Sequence, residues 1–347
     1  MKTSDFDYYL PSELIAQEPC KKRENCRMLH LNKKNQTYQD KYFYDVLDLL
    51  NKDDILVLND TKVYPARVIA HRLTGASVEV FFLNPIDNNN HWEVLTKNAK
   101  RVREGEILEV SRDFKIKLVE KRLANSENEI PKYIVEVIFE GIDIYEALNK
   151  YGEIPLPPYI SRKIKEDDKD NYQTVFAKNI GSAAAPTAGL HFSAELLEKI
   201  KEKGVHIAYV TLNVGLGTFM PVKVEDLKEH TMHFESFSIP ADTAKLINNK
   251  KGSVVAVGTT ALRCLEATYR KHGKIIETKD KTDIFIYPPQ EVKSIDKLIT
   301  NFHLPKSTLI MLISAFAGKD FVFDAYRHAV EEKYRFFSYG DCMFIER

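Results

Sequence analysis

The stretch Gly181–Phe192, GSAAAPTAGLHF, decides how this chain is read. Gly181, Ser182, Ala183, Ala184, Ala185, Ala188 and Gly189 carry little side chain, so backbone or ligand can lie close against them. Pro186 stiffens the turn, and Thr187 and His191 supply the polar groups of its second half. A helix is expected directly after it: Ser193 can cap it, Leu196, Leu197 and Ile200 form one apolar stripe, and Gly204 can end it. A small-residue turn feeding a helix N-terminus offers backbone N–H groups to an oxygen-rich or anionic ligand. A close-packed crossover in a large core has the same composition, and what favours a ligand site is the company further along the chain.

Three comparable junctions follow and one precedes. The apolar run Asp54–Leu58 reads as a strand ending in Asn59-Asp60-Thr61-Lys62, a polar strand end of the kind that meets ligands in α/β sheets, or an Asx turn. Val205–Val214, apolar on both faces, reads as a buried strand running into Gly215-Leu216-Gly217-Thr218-Phe219; Met220 occupies the third glycine position of a dinucleotide fingerprint, so that motif is excluded. Val254–Val257 is a short buried strand followed by Gly258-Thr259-Thr260, whose hydroxyls are expected to cap a helix over Ala261–Lys271 that puts Arg263 and Glu266 on one face. Thr300–Ser307 leads into a helix over Thr308–Ala317, apolar nearly all round and so central, with His303, Lys306 and Ser307 as an anion or carboxylate cradle, or with Ser307 simply as its N-cap.

The densest titratable cluster is His230-Thr231-Met232-His233-Phe234-Glu235. It lacks the HExxH order, and two histidines three apart are a poor zinc site. A carboxylate beside an imidazole raises its proton affinity and suits acid–base work, with a solvated polar loop as the competing reading. Asp283–Tyr287 reads as a strand, Phe321–Lys333 as an amphipathic helix, and Tyr334–Ile345, with Arg335, Tyr339, Gly340 and Asp341, as turn-like.

At 347 residues and 44% hydrophobic content, two domains of an ordinary globular protein are expected. Short alternating segments at Ser77–Leu83, Trp92–Thr96, Glu106–Val110, Phe114–Val119 and Tyr133–Phe139 have hardly any helical period between them. The expected fold is therefore an α/β main domain of residues 1–65 and 154–347, with a mixed sheet and covering helices, carrying an inserted antiparallel β-barrel-like domain over residues 66–153. Lys97, Lys100, Arg101 and Arg103 in the insert are either a solvated hairpin tip or a phosphate contact, and Tyr172 and Gln173 are groups of the kind that read a base edge. Fifty basic and fifty acidic residues leave zero net charge, which excludes a globally basic nucleic-acid coat and leaves a local patch. Cys20, Cys26, Cys264 and Cys342 form no C-x-x-C pair and no zinc spacing with histidine, so reduced thiols and no metal are expected. The most apolar run, Leu309–Ala317, is too short for a membrane span, and a cytoplasmic location is the expectation.

SAAAPTAGLHF, VGLGTF, HTMHFE, VGTTALRCLE, TNFHLPKSTLIMLISAF and RFFSYGD, with YYLPSELIAQEP near the start and LVLNDTKVYPAR at Leu56–Arg67, resemble the S-adenosylmethionine:tRNA ribosyltransferase-isomerase family of queuosine biosynthesis. The resemblance reaches both ends of the chain and is weakest in the insert. It implies that S-adenosylmethionine is consumed as a ribosyl donor rather than a methyl donor. The ribosyl carbons are rearranged onto the aminomethyl group of 7-aminomethyl-7-deazaguanine at the tRNA wobble position, giving epoxyqueuosine and releasing adenine and methionine. No cofactor beyond this co-substrate and no metal is implied; tRNA is the partner, and a monomer is expected. His233 with Glu235 are expected to act as base or its orienting partner, and His191 or His303 to assist adenine or the ribose oxygens. Thr259, Thr260 and the glycine turns would hold the nucleoside, and Lys306 with Ser307 the methionine carboxylate. Asp60, Arg67, Ser182, Pro186, Thr187, Gly189, Gly215, Gly217, Thr218, Arg263, Tyr339 and Asp341 complete the candidate substrate-binding set. The chain departs from the family at Asn213, Met220, Phe234 and Pro289-Gln290, so roles of those family side chains are not carried over. An S-adenosylmethionine-dependent RNA methyltransferase would need a glycine-rich loop after the early strand, where NDTK stands instead. A tRNA-binding module without chemistry predicts no consumption of S-adenosylmethionine. Zinc-dependent base exchange lacks its cysteine–histidine spacing.

Overall fold

The computed structural model describes residues 1–87, 90–122, 131–139, 143–215 and 222–347. In chain order the first strands are β1 (Arg27–Asn32), β2 (Thr37–Tyr42), β3 (Ile55–Asn59), β4 (Thr61–Val63), β5 (Arg67–His71), β6 (Ser77–Pro85), β7 (His91–Lys97), β8 (Ile107–Ser111), β9 (Phe114–Arg122) and β10 (Lys132–Phe139), with the short helix α1 (Val46–Leu49) after β2. Helices α2 (Ile144–Tyr151) and α3 (Asp168–Asn171) precede β11 (Asn179–Ser182), α4 (Ala194–Glu202), β12 (His206–Leu212), β13 (Glu235–Ile239) and α5 (Ala241–Asn248). The chain then forms β14 (Val254–Val257), α6 (Gly258–His272), β15 (Thr278–Thr282), β16 (Lys297–Asn301), α7 (Thr308–Ala317), α8 (Lys319–Glu331) and β17 (Cys342–Glu346).

Among the described residues nine strands make the main sheet, in the order β15-β13-β12-β3-β14-β16-β17-β1-β2. Its centre, β12-β3-β14-β16, is parallel, and antiparallel pairs lie toward both edges. Side chains alternate between two cores, as the pleat requires. Ile55 and Val57 of β3 enter one core with α5, α6, α7 and α8, whereas Leu56 and Leu58 enter the other with α4. Helix α7 begins and ends where the sequence places it, with Ser307 as N-cap accepting from the Ile310 N–H at 3.3 Å. Helix α4 starts at the expected cap, Ser193.

The insert closes into a six-stranded antiparallel barrel, β10-β7-β6-β5-β8-β9, around Val68, Val80, Phe82, Trp92, Val94, Phe114 and Ile116. The chain enters and leaves it side by side: Arg67 and Glu153 exchange both backbone hydrogen bonds, at 3.3 and 2.7 Å.

Some expected elements shift. Residues 342–346 are not turn-like but form β17, inserted between β16 and β1 and buried on both sides. Residues 283–287 are irregular, and the strand lies just before them as β15. Strand β12 is not buried on both faces; its side chains alternate because one face stays partly open. Thr259 and Thr260 lie inside the first turn of α6 rather than capping it, because the helix already begins at Gly258. Among the described residues no helix is long and apolar enough to cross a membrane.

Candidate active site

Parallel β12, β3, β14 and β16 bring their C-terminal ends to one edge, where loops must leave the sheet and a crevice forms. Strand β14 delivers Gly258, Thr259 and Thr260, β16 delivers Thr300 to His303, β12 delivers Val214, and the turn from Ala185 to Ala188 closes over them. Together with Leu309, Phe337 and Ser338 they line a cleft whose enclosed part is about 40 Å³. That is room for a few water molecules, and the rest of the cleft opens to solvent. Gly258 makes the tight exit at φ +86°, a left-handed backbone that favours glycine; a Cβ there would make only ordinary contact with Ala188, at 3.6 Å, so the bend rather than the space calls for glycine.

The cleft is polar at chosen points. Thr187 donates to Oδ1 of Asn301 at 2.9 Å, which fixes the hydroxyl at the rim. The Thr260 hydroxyl is buried without a partner, a position that a ligand atom satisfies. His303 pairs through Nε2 with the Thr300 hydroxyl at 2.9 Å. Burial pushes its imidazole down to about 3, so it is neutral at working pH and acts as a hydrogen-bonding ring rather than a proton donor from the charged form.

His191 stands behind the wall. Its Nε2 accepts from Asn301 Nδ2 at 3.1 Å, so the ring proton sits on Nδ1, 2.8 Å from Cys26 Sγ. Burial first, then the cations Arg335 and Arg23, hold it down to about 3. It is a neutral group that orients Asn301, and through Asn301 the rim hydroxyl of Thr187.

Beside the cleft, one turn on from Thr259, Arg263 is 3% exposed and donates through Nη1 to Glu235, itself buried at the start of β13. The other Glu235 oxygen takes the Gly215 N–H at 3.1 Å, next to the cleft residue Val214. Nε and Nη2 of Arg263 are buried with no partner. A guanidinium left with free donors in a dry place is half of an anion site.

The remaining candidate residues separate from this group. Pro186 lines the cleft. Ser182 is a cross-link, donating to Ala184 O at 2.7 Å and accepting from Val214 N–H at 2.8 Å. The space beside Gly181 and Gly189 holds protein, not ligand: a Cβ would meet the Asn213 side chain at 2.7 Å and Phe176 at 2.8 Å, respectively. Asp60 is buried and accepts from Asn179 at 3.0 Å and Thr211 at 2.6 Å; Asn59 receives the Thr61 N–H at 3.2 Å, an Asx turn. Lys306 is turned to the surface, 2.7 Å from Asp7, and Ser307 is spent on capping, so the expected carboxylate cradle is not built there. Arg67 pairs with Glu79 at 2.7 Å in a separate groove of about 530 Å³ between the barrel and residues 155–164. Tyr339 donates to Asp168 at 3.2 Å, and Asp341 receives the Arg27 and Arg335 N–H groups at 2.9 and 2.8 Å; both are structural anchors. Tyr172 is fully buried and Gln173 spans both backbone groups of Val63, so neither is free to read a base. His233 is exposed and is not part of the cleft wall. Gly217 and Thr218 lie outside the described residues. Thr300, Asn301 and Ser338 are polar cleft residues outside the candidate set; the polar pair Thr300-Asn301 at the end of an apolar run is the available signal for the first two.

A family model described as queuosine biosynthesis protein matches residues 3–345 of this chain. The S-adenosylmethionine:tRNA ribosyltransferase-isomerase of a Sulfurihydrogenibium species is 56% identical over 99% of this chain and 100% of its own length. That of Staphylococcus epidermidis is 50% identical over the same shares. The crystal structure of the S-adenosylmethionine tRNA ribosyltransferase of Thermotoga maritima is 36% identical, covers 99% of this chain and 100% of its own, and superposes with a TM-score of 0.56. The chain belongs to the S-adenosylmethionine:tRNA ribosyltransferase-isomerase family, a family of transferases in queuosine biosynthesis.

Proposed function

We propose that this chain moves the ribosyl group of S-adenosylmethionine onto the aminomethyl group of 7-aminomethyl-7-deazaguanine at the tRNA wobble position and isomerises it, giving epoxyqueuosine-tRNA, adenine and methionine. Family membership supports the reaction class, and one observation carries the siting: Thr187, Thr259, Thr260 and His303, from distant parts of the chain, line a single cleft at the ends of the parallel strands. S-adenosylmethionine is consumed as co-substrate, and tRNA is the partner; a monomer acting in the cytoplasm suffices.

The chemistry asks for three things. The sulfonium acidifies the ribose C5′ hydrogens, and a base must take one of them; His233, exposed outside the cleft wall but only two residues before the Glu235 that holds Arg263 beside the cleft, is the candidate base. Glu235 serves by fixing Arg263. The departing adenine needs a hydrogen-bond partner at its purine nitrogens, a role suited to the neutral imidazole of His303 and the open hydroxyl of Thr260. The methionine carboxylate needs a cation, and Arg263, with two unused buried nitrogens, takes over the part that Lys306 and Ser307 cannot play.

Incubating the protein with S-adenosylmethionine and precursor-bearing tRNA tests the reading. Free adenine and methionine in equal amounts support it. S-adenosylhomocysteine in their place makes the protein a methyltransferase, and unchanged S-adenosylmethionine makes it a binding module.

A further inference from the structure

Three of the four cysteines, scattered in sequence at Cys20, Cys26 and Cys342, meet on the far side of the cleft wall. Cys26 Sγ, Cys342 Sγ and a ring nitrogen of His191 all lie within 4.8 Å of one another, and all three residues are buried. Cys26 Sγ is 2.8 Å from Nδ1 of His191, and Cys20 lines the same small pocket as these two residues. Two sulfurs and one nitrogen thus form one compact group, with the sulfur of Cys20 in the adjoining pocket wall.

We propose that Cys20, Cys26, Cys342 and Nδ1 of His191 form a binding site for a thiophilic d10 cation, with Zn2+ as its probe. With Cys20 brought in from the pocket wall as the fourth donor, the donor number and type match a tetrahedral thiolate–imidazole site. The surroundings select the cation. Arg335 Nη2 already donates to Cys20 Sγ at 2.7 Å, and Arg23 reaches the same neighbourhood. Two guanidiniums repel a hard cation seeking oxygen ligands, but they balance the net negative charge of three thiolates around a divalent ion. A pocket of about 120 Å³, lined by Cys20, Cys26, His191, Arg23 and Arg335 among others, gives the ion a path from solvent.

Binding has a defined proton balance and a mechanical consequence. The three thiols release their protons to solvent, and the metal displaces the ring proton of His191 from Nδ1 to Nε2. Nε2–H then faces the Asn301 amide nitrogen that now donates to it, so the amide must turn and present its oxygen. That same oxygen holds the Thr187 hydroxyl at 2.9 Å, so occupancy on one side of the wall releases the rim of the cleft on the other.

Cobalt(II) substitution reads the site directly and independently of any enzymatic activity. One equivalent per chain, with thiolate-to-cobalt charge-transfer absorption and the strong visible bands of a tetrahedral ion, is the expected result. Cys26→Ser and Cys342→Ser, checked for native far-UV circular dichroism, should each weaken cobalt and zinc binding at least tenfold. Cys264→Ser, whose thiol lies apart in α6, should leave both unchanged. In the zinc-loaded chain, 15N spectra should show the His191 proton moved to Nε2. Absence of the charge-transfer band in the native chain, equal binding in a Cys26→Ser/Cys342→Ser double variant, or an unmoved ring proton would overturn the proposal.

Discussion

His303 offers the sharpest quantitative test of the cleft. Its ring is buried, held at about 3 by loss of hydration alone, and so is neutral throughout the working range. In the unfolded chain the same imidazole takes up a proton near about 6.5. Between these two values the unfolded state binds more protons than the folded one. The stability contributed is whole above the unfolded value and is lost as the pH falls through the window. From about pH 7 to about pH 5 the linkage integral for one such group is about 2 kcal/mol, and it hardly depends on where the folded value lies so long as that is well below 5. His303→Gln keeps an uncharged amide in the same place and abolishes the titration. Urea unfolding at the two pH values, for the native chain and the variant, isolates the effect: the native chain should lose about 2 kcal/mol more than the variant on acidification. Equal losses, or a folded-state His303 ring signal titrating near neutrality, would show that water reaches the imidazole and that the cleft is not the dry pocket described.

Three other outcomes follow from the same contacts. Glu235→Ala strands a buried guanidinium and should destabilise the fold by about 3–5 kcal/mol, whereas Glu235→Leu with Arg263→Met should recover most of that in the same urea assay. Ser307→Ala should cost about 1 kcal/mol, the worth of an N-cap, and leave the KM for S-adenosylmethionine unmoved; a several-fold rise in KM would return Ser307 to the substrate. Since the chain has no net charge, tRNA binding rests on a local patch, and its affinity should drop steeply between about 50 and about 200 mM salt; Lys100→Ala with Arg101→Ala, both exposed at the barrel rim, should flatten that slope if the barrel carries phosphate contacts.

The barrel was nearly transparent in the sequence because each strand alternates along its own length and turn residues punctuate the series. Ser77–Leu83 and Phe114–Val119 fall within β6 and β9 with no help from distant partners. The main sheet was less so. Strand β13, ESFSI, alternates with small polar residues outward, but its first inward residue is the carboxylate Glu235 rather than an apolar side chain, which hides the pattern. Strand β17 reads CMFIE after a tight turn, and nothing local says that it enters the middle of a sheet, between β16 and β1. Its place is set by pairing with β16 on one side and, on the other, with β1 from the opposite end of the chain.

The site divides along the same line. Each strand-end junction is a local pattern, so Thr187, Thr259, Thr260 and His303 could be named one at a time; their meeting depends on four strands lying parallel and adjacent. What local pattern cannot supply is whether a polar group is already spent. Lys306 and Arg263 each stand within the opening residues of an apolar helix or its approach, and from sequence either suits an anion. In the fold Lys306 is 45% exposed and neutralised by Asp7, three hundred residues away in sequence, whereas Arg263 is 3% exposed with two donors unused. A solvated, paired lysine gains little by binding a carboxylate, because water and Asp7 already satisfy it. A dry guanidinium with open donors gains a great deal, since each unmade hydrogen bond in that place carries its full desolvation penalty until a ligand arrives. The same logic separates the small residues of the Gly181–Phe192 turn: Gly189 is small because Phe176 and Thr174 fill its space, while Gly258, small for the sake of a backbone bend, leaves the cleft open beside it.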